Sequence, residues 1–151
     1  MSSFDLAAFL PYQLAVLAGR VSREFSAIYK ERYGIGVAEW RVIAHLSQTS
    51  ETVSVREICE KVELEKSKVS RAVARLQARG LVAKQINADD RRLVELKLTA
   101  QGRKMISELA DLATEFEQAL MNRLPDQGKG LRLELSALLE ATALNDPVNT
   151  R

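Results

Sequence analysis

The apolar residues of this 151-residue chain change their spacing twice, and these changes limit the folds that it can adopt. Up to residue 80 the apolar residues recur every three or four positions, which predicts helices. Over residues 81–86 and 93–99 the pattern becomes strand-like, and Val94, Leu96 and Leu98 alternate with polar neighbours. After Thr99 the helical spacing returns. We therefore expect a mainly α (α+β) protein in which a single β-hairpin interrupts a series of helices.

Four helices are expected before the hairpin, and local signals mark their ends. Pro11 lies in the first turn of the first helix, and Gly34 follows its last turn. Ser54 and Glu57 have the spacing of a capping box, which opens the third helix. Gly80 ends the fourth. The predicted helices cover residues 12–33, 37–48, 54–62 and 66–79.

Two further helices follow the hairpin. Thr99 can cap a long one, Pro125 interrupts the chain, and a last amphipathic helix follows Gly130. The order of elements makes residues 37–99 a winged helix-turn-helix, whose wing is the hairpin. Residues 1–36 and 100–151 contribute helices with apolar stripes. The chain is too short to cover these stripes with its own helices. A helix of a second chain would cover such a stripe.

Charge is distributed unevenly along the chain. The net charge is only +2, yet residues 66–92 contain eight basic and two acidic residues and so carry +6. The rest contains 14 basic and 18 acidic residues, a net charge of −4. A basic middle between mildly acidic flanks predicts contact with a polyanion.

The predicted helix over residues 66–79 has two different faces. On a helical wheel the core face collects Val69, Ala72, Val73 and Leu76. The opposite face has hydroxyls, small residues and cations without a carboxylate: Ser67, Lys68, Ser70, Arg71, Ala74 and Arg75. Such a face fits the major groove of double-stranded DNA, where hydroxyls contact phosphates and arginine can bridge guanine. A solvated basic helix face would give the same pattern, although it usually includes glutamate.

The tip of the wing, residues 87–92, carries a second basic signal. Arg91 and Arg92 can enter a minor groove that flanks the site, where a narrow groove attracts guanidinium groups. Asp89 or Asp90 would then hold one arginine in place. Taken alone, the tip also fits a polar turn with a local ion pair.

Five short motifs occur in order along the chain: Val37-Ala38-Glu39-Trp40-Arg41-Val42-Ile43, Ser54-Val55-Arg56-Glu57-Ile58, Lys68-Val69-Ser70-Arg71, Leu76-Gln77-Ala78-Arg79-Gly80-Leu81-Val82, and Asp90-Arg91-Arg92 followed by Val94, Leu98-Thr99 and Gly102. Together they resemble the signature of MarR-type transcription regulators over about residues 10–140. The resemblance implies an obligate homodimer, held by N- and C-terminal dimerisation helices, on a palindromic operator. It also implies that Ser67, Lys68, Ser70, Arg71 and Arg75 face DNA, with Arg92 in the minor groove. Before the recognition helix, Glu65 replaces the usual short polar cap and is a weaker one.

The resemblance further implies a small aromatic or phenolic effector that releases the DNA. The candidate residues for its pocket are Tyr12, Arg20, Trp40, Arg41 and His45. Arg41 and His45 lie four positions apart on one helix and could present two donors to a carboxylate or phenolate. Each residue also has a structural role open to it: Trp40 in the core, Arg41 at the surface and His45 as a partly buried polar residue.

Other classes of function lack the residues that they need. One histidine, one cysteine and no HExxH, CxxC or Walker A motif predict neither an enzyme nor a metal or cofactor site. Cys59 cannot form an internal disulfide and is expected to face the core. No apolar run approaches 18 residues, and the N-terminus lacks signal-peptide features, so we expect a cytoplasmic protein without membrane contact. A ligand-responsive repressor is the expected function; a nonspecific DNA-binding or protein-interaction module built on a winged helix is the alternative.

Overall fold

The computed structural model describes residues 3–143 of the chain. Short 3-10 turns occur at Leu6–Ala8 and Pro125–Gly128. Apart from the short strand β1, the helices and strands follow the predicted order: α1 (Leu10–Tyr33), α2 (Val37–Leu46), β1 (Val53–Ser54), α3 (Val55–Val62), α4 (Lys66–Ala78), β2 (Val82–Ile86), β3 (Val94–Leu98), α5 (Ala100–Met121) and α6 (Lys129–Ala143). The chain divides into two compact units, residues 1–111 and 112–151. The last eight residues of the predicted dimerisation region, 144–151, lie outside the described part.

The structure differs from the sequence-based expectation at small elements. The two-residue strand β1 was not predicted, since two residues are too few to show alternation. It pairs antiparallel with β3, which gives a three-stranded sheet in the order β1-β3-β2. The last helix begins at Lys129, one position before Gly130, and α2 ends two residues earlier than predicted. Shifts of this size are usual at helix ends.

The first unit has a core built around α4. All four residues of the predicted core face of α4 are buried, and α4 packs against α2, α3 and β2. Burying this stripe fixes which side of α4 remains exposed. The core therefore determines the orientation of the basic face toward solvent.

Helix α1 is covered at only one end. Phe25 packs edge to face against both Tyr29 and Trp40 of α2, and the rings of Tyr29 and Trp40 are stacked, with ring centroids 5.2–5.7 Å apart. Burial raises the pKa of the Tyr29 hydroxyl, with the Arg41 charge opposing and the Glu39 charge adding to the effect. Toward the other end, Leu14 and Leu17 are 36% and 50% exposed. The predicted apolar stripe of α1 is thus half-buried at Val21, Phe25 and Ile28 and exposed at Leu14 and Leu17.

Helix α5 begins directly on the base of the wing. The Thr99 hydroxyl accepts from the Gly102 amide at 3.0 Å, which confirms the predicted cap, and donates to the Gly80 carbonyl at 2.6 Å. The Thr99 amide donates to the Leu81 carbonyl at 3.1 Å. A Cβ atom on Gly102 would lie only 2.1 Å from that same carbonyl oxygen. Only glycine therefore allows the first turn of α5 to approach the chain this closely.

The second unit contains the end of α5, a left-handed turn and α6. Asp126, Gln127 and Gly128 have consecutive positive φ values of 52°, 53° and 70°. An ion pair of 3.2 Å joins Arg132 of α6 to Glu117 of α5. The predicted apolar stripe of α6 is exposed, and so is Leu133 beside it: Leu131, Leu135, Leu138 and Leu139 form the stripe.

Candidate nucleic-acid interface

Helices α3 and α4 form the predicted helix-turn-helix. The Ser54 hydroxyl accepts from the Glu57 amide at 3.1 Å and caps α3. Glu63 adopts a left-handed conformation (φ 52°) that turns the chain sharply toward α4. The Glu65 side chain makes no capping hydrogen bond, which agrees with its prediction as a weak cap. The tight turn places α4 across α3 with its basic face exposed.

The exposed face of α4 carries five of the residues predicted to contact DNA. Their side chains lie together on the side opposite the buried stripe: Ser67, Lys68, Ser70, Arg71 and Arg75. The helix itself, Lys66–Ala78, contains no acidic residue. Hydroxyl and guanidinium donors on one side of a helix can contact phosphate oxygens and the acceptor groups of base edges.

One carboxylate reaches this face from another helix, and the sequence analysis missed it. An oxygen of Glu39 on α2 accepts from the Arg75 guanidinium at 3.3 Å. The other carboxylate oxygen accepts from the Gly36 amide and caps α2. A helical wheel of α4 includes only the residues of α4. The expected absence of a carboxylate is therefore correct for α4 itself but not for the surface that α4 forms together with α2. Glu39 occupies the third position of a helix, where a capping glutamate is common, and that was the available signal.

At the tip of the wing, Asp90 holds Arg92. Two hydrogen bonds of 3.1 and 3.2 Å join the Arg92 guanidinium to both Asp90 oxygens, and the Arg92 amide donates to the same carboxylate. These bonds keep the pKa of the Asp90 carboxyl below its usual range, so it is ionised at neutral pH. The Arg92 side chain is nevertheless 90% exposed. Of the two aspartates considered from the sequence, Asp90 is the one that forms this pair.

The lower part of the wing is cross-linked through Glu95. Its carboxylate accepts from Gln85 at 3.3 Å, from Asn87 at 2.6 Å and from Thr52 at 3.1 Å. The first two bonds, with a smaller effect of Thr52, lower the pKa of Glu95. Residues from both strands and from the segment before β1 are thereby tied together, which restricts the position of the tip that carries Arg91 and Arg92.

A groove of about 460 Å³ lies between α3, α4 and the wing. Four cations from these elements line it: Arg56, Lys66, Lys84 and Arg92. Cys59 also lines the groove and is half-buried. The expectation that Cys59 faces the core is therefore wrong, because its side of α3 borders the groove shared with α4 and the wing.

The five candidate effector residues do not line one pocket. Tyr12 and Arg20 line a groove of about 480 Å³ on α1, and the other three are not part of its lining. Trp40 belongs to the aromatic cluster of α1 and α2. The Arg41 guanidinium donates to the Val62 carbonyl at 3.4 Å, so it fastens the end of α3, and His45 is half-buried.

Two negative findings concern residues 3–143. No three histidine, cysteine, aspartate or glutamate side chains come together there in a way that could hold a metal ion. Within the same residues, no helix combines the length and the apolar character needed to cross a membrane.

The part of the chain that carries this surface is similar to a known protein family. The family model described as MarR family matches residues 33–93, which run from the end of α1 to the wing. The HTH-type transcriptional repressor MdtR of Bacillus subtilis (strain 168) is 35% identical over 72 residues. That alignment covers 48% of this chain and 46% of MdtR, so the match spans about half the length of this curated relative.

Solved structures extend the similarity to nearly the whole chain. A MarR/EmrR family transcriptional regulator from Acinetobacter sp. ADP1 is 26% identical with a TM-score of 0.78, over 95% of this chain and 100% of that one. A MarR family transcriptional regulator from Silicibacter pomeroyi DSS-3 is 27% identical with a TM-score of 0.79, over 93% and 99% of the two chains. Residues 33–93 therefore match the MarR family, and over nearly its whole length the chain has the winged helix-turn-helix fold of MarR-family transcriptional regulators.

Proposed function

We propose that this protein is a sequence-specific DNA-binding repressor that acts as a homodimer on a palindromic operator. The observation that carries the proposal is the exposed face of α4, where hydroxyls and cations lie together opposite a fully buried stripe. Residues 37–99 would form the DNA-binding domain, and residues 1–36 and 100–151 the dimerisation region. The name of MdtR, a transcriptional repressor, supports repression as the outcome.

Helix α4 would enter the major groove. Ser67 and Ser70 are short donors that suit phosphate oxygens or base edges close to the helix. Arg71 is exposed in the middle of the face and can donate two bonds to O6 and N7 of a guanine. Lys68 would add a phosphate contact beside it. The wing would place Arg91 and Arg92 at the adjacent minor groove, where a negative potential attracts guanidinium groups.

A second copy of the chain would cover the open apolar surfaces. In the first unit these are the leucines of the N-terminal half of α1, and in the second unit the leucines of α6. Soluble proteins rarely leave contiguous apolar surface of this kind in water. A two-fold dimer would present two copies of α4, which fits two half-sites about one helical turn apart.

The repressor would respond to a small aromatic or phenolic molecule. The groove beside Tyr12 and Arg20 supports this part of the proposal, because it joins an aromatic ring to a guanidinium that can pair with a carboxylate or phenolate. Trp40 and Arg41 already have structural partners, so Tyr12 and Arg20 are the better candidates for the effector. The remaining walls of such a site would come from the second protomer.

DNase footprinting on the intergenic region beside the gene for this protein tests the main proposal. We expect one protected, two-fold symmetric site of about two helical turns. Two salt concentrations are needed because nonspecific binding depends steeply on salt. Uniform, salt-sensitive coverage would instead indicate a nonspecific DNA-binding protein. Absence of any protection would favour a protein-interaction module. The protected site also supplies the probe for an effector screen.

Removing one arginine from each DNA-contacting element should weaken operator binding strongly. Arg71→Ala deletes a base contact and Arg92→Ala a minor-groove contact, and each is expected to cost roughly 1–3 kcal/mol. Fluorescence anisotropy with the operator duplex measures the affinity and its dependence on salt. Arg23→Ala, which removes an exposed arginine of α1, is the control and should leave both unchanged. If the Arg71→Ala, Arg92→Ala double variant kept wild-type affinity and salt slope, the assignment of this surface to DNA would be wrong.

A further inference from the structure

Among the described residues 3–143, Glu39 is the one charged residue that is buried in the core. It is 7% exposed, and every other buried residue of that core is apolar. A carboxylate removed from water is destabilising unless charged or hydrogen-bonding partners compensate it. The partners of Glu39 therefore reveal what the position is used for.

The two oxygens of Glu39 have different partners. One accepts from the Gly36 amide, a local bond that any capping glutamate makes. The other accepts from Arg75, which lies 36 positions further along the chain on the DNA-facing side of α4. Capping alone needs one oxygen, so the second bond is an additional function. It links the start of α2 to the proposed DNA interface.

The bond leaves most of Arg75 free to contact DNA. The Arg75 side chain is 62% exposed, whereas the Glu39 side chain is 9% exposed. A guanidinium has five N–H donors, and one of them is used here. The carboxylate is held by its own helix, so Arg75 is fixed from behind while its other donors face solvent. Arg71, one turn earlier, forms no ion pair in the described part of the chain.

We propose that Glu39 is a positioning residue that sets the operator specificity of the interface through Arg75. This inference rests on the proposed function. A guanidinium held in one orientation binds well to an operator whose acceptor groups match that orientation. Duplexes without matching acceptor groups are bound more weakly. The carboxylate also reduces the positive potential that Arg75 presents to the phosphates of any duplex, which lowers nonspecific binding.

The test compares affinity for the operator with affinity for a scrambled duplex of equal length and composition. Glu39→Gln removes the charge but keeps an oxygen that can cap α2, and we expect the operator-to-scrambled affinity ratio to fall about tenfold. Arg75→Ala should lower the same ratio, and adding Glu39→Gln to it should change nothing further. A further drop in the double variant, or an unchanged ratio in Glu39→Gln, would overturn the inference.

A matched control separates positioning from simple loss of negative charge. Glu60→Gln removes an exposed carboxylate that lines the groove between α3, α4 and the wing. It should raise the affinity for both duplexes by the same factor and leave their ratio unchanged. If the Gln variant of Glu39 fails to fold, Glu39→Asp serves instead. Aspartate keeps the charge but is too short to reach both partners, so the ratio should fall as well.

A measurement without DNA distinguishes failure of this inference from failure of the proposed function. In ¹⁵N NMR of the free wild-type protein, restricted rotation of the Arg75 guanidinium should give resolved Nη signals. These signals should be lost in Glu39→Gln, and those of Arg71 should be averaged in both proteins. A freely rotating Arg75 in the wild type would overturn the inference. A restrained Arg75 in a protein that binds no DNA would overturn the proposed function alone.

Discussion

Replacing both Leu14 and Leu135 by aspartate is expected to yield monomers or unfolded chains. Both leucines are partly exposed in the single chain, and the proposed dimer would bury them. Each substitution loses roughly 1.5–3 kcal/mol of apolar burial per protomer. Each also places a carboxylate in the interface, which adds a desolvation cost of several kcal/mol. Because a two-fold interface contains every residue twice, the double variant introduces four carboxylates.

Sedimentation velocity measures the mass of the double variant, and far-UV circular dichroism measures its helix content. Ile86→Asp is the matched control, since Ile86 is an exposed apolar residue of the wing that lies outside the flanking helices. That variant should remain a dimer with full helix content. A well-folded dimer from the Leu14→Asp, Leu135→Asp protein would show that these stripes are not the dimer interface.

Gly102→Ala is the second change with a large expected effect. The new methyl group would lie 2.1 Å from the Leu81 carbonyl oxygen, far inside contact distance, and backbone cannot move as easily as a side chain. Either α5 shifts away from the wing or the Thr99 hydrogen bonds break. We expect a loss of about 3 kcal/mol or more in the free energy of unfolding.

Urea unfolding followed by circular dichroism measures this loss. Gly130→Ala is the control, because Gly130 lies in α6 and a Cβ atom there meets nothing within 4 Å. Alanine is the better helix former, so that variant should gain about 0.5–1 kcal/mol. An unchanged unfolding midpoint in Gly102→Ala would mean that the first turn of α5 does not approach Leu81 this closely.

The features that could be predicted from the sequence are those that depend on neighbouring residues. Helical spacing identified the buried stripe of α4, and hydroxyl spacing identified the caps at Ser54 and Thr99. An ion pair between one aspartate and one arginine of the six-residue turn was also predicted, and it forms between Asp90 and Arg92. The family match over residues 33–93 confirms the resemblance there, and the solved structures confirm the winged helix-turn-helix fold.

The features that could not be predicted depend on residues far apart in the chain. The bond from Glu39 to Arg75 spans 36 positions, and no local pattern indicates it. Trp40 could be assigned to an effector pocket or to the core, and only the positions of Phe25 and Tyr29 show that it packs with them. Cys59 lines a groove that the wing helps to form. The helical spacing of α3 does not indicate where the wing lies.

The junction at Gly80 and Leu81 has a mechanical consequence. These two residues follow the last turn of α4 and lead into the first strand of the wing, and their carbonyls accept the bonds that start α5. No flexible linker separates the three elements at this point. A displacement of the first turn of α5 would therefore move the C-terminal end of α4 with it, because the Thr99 bonds connect the two helices directly.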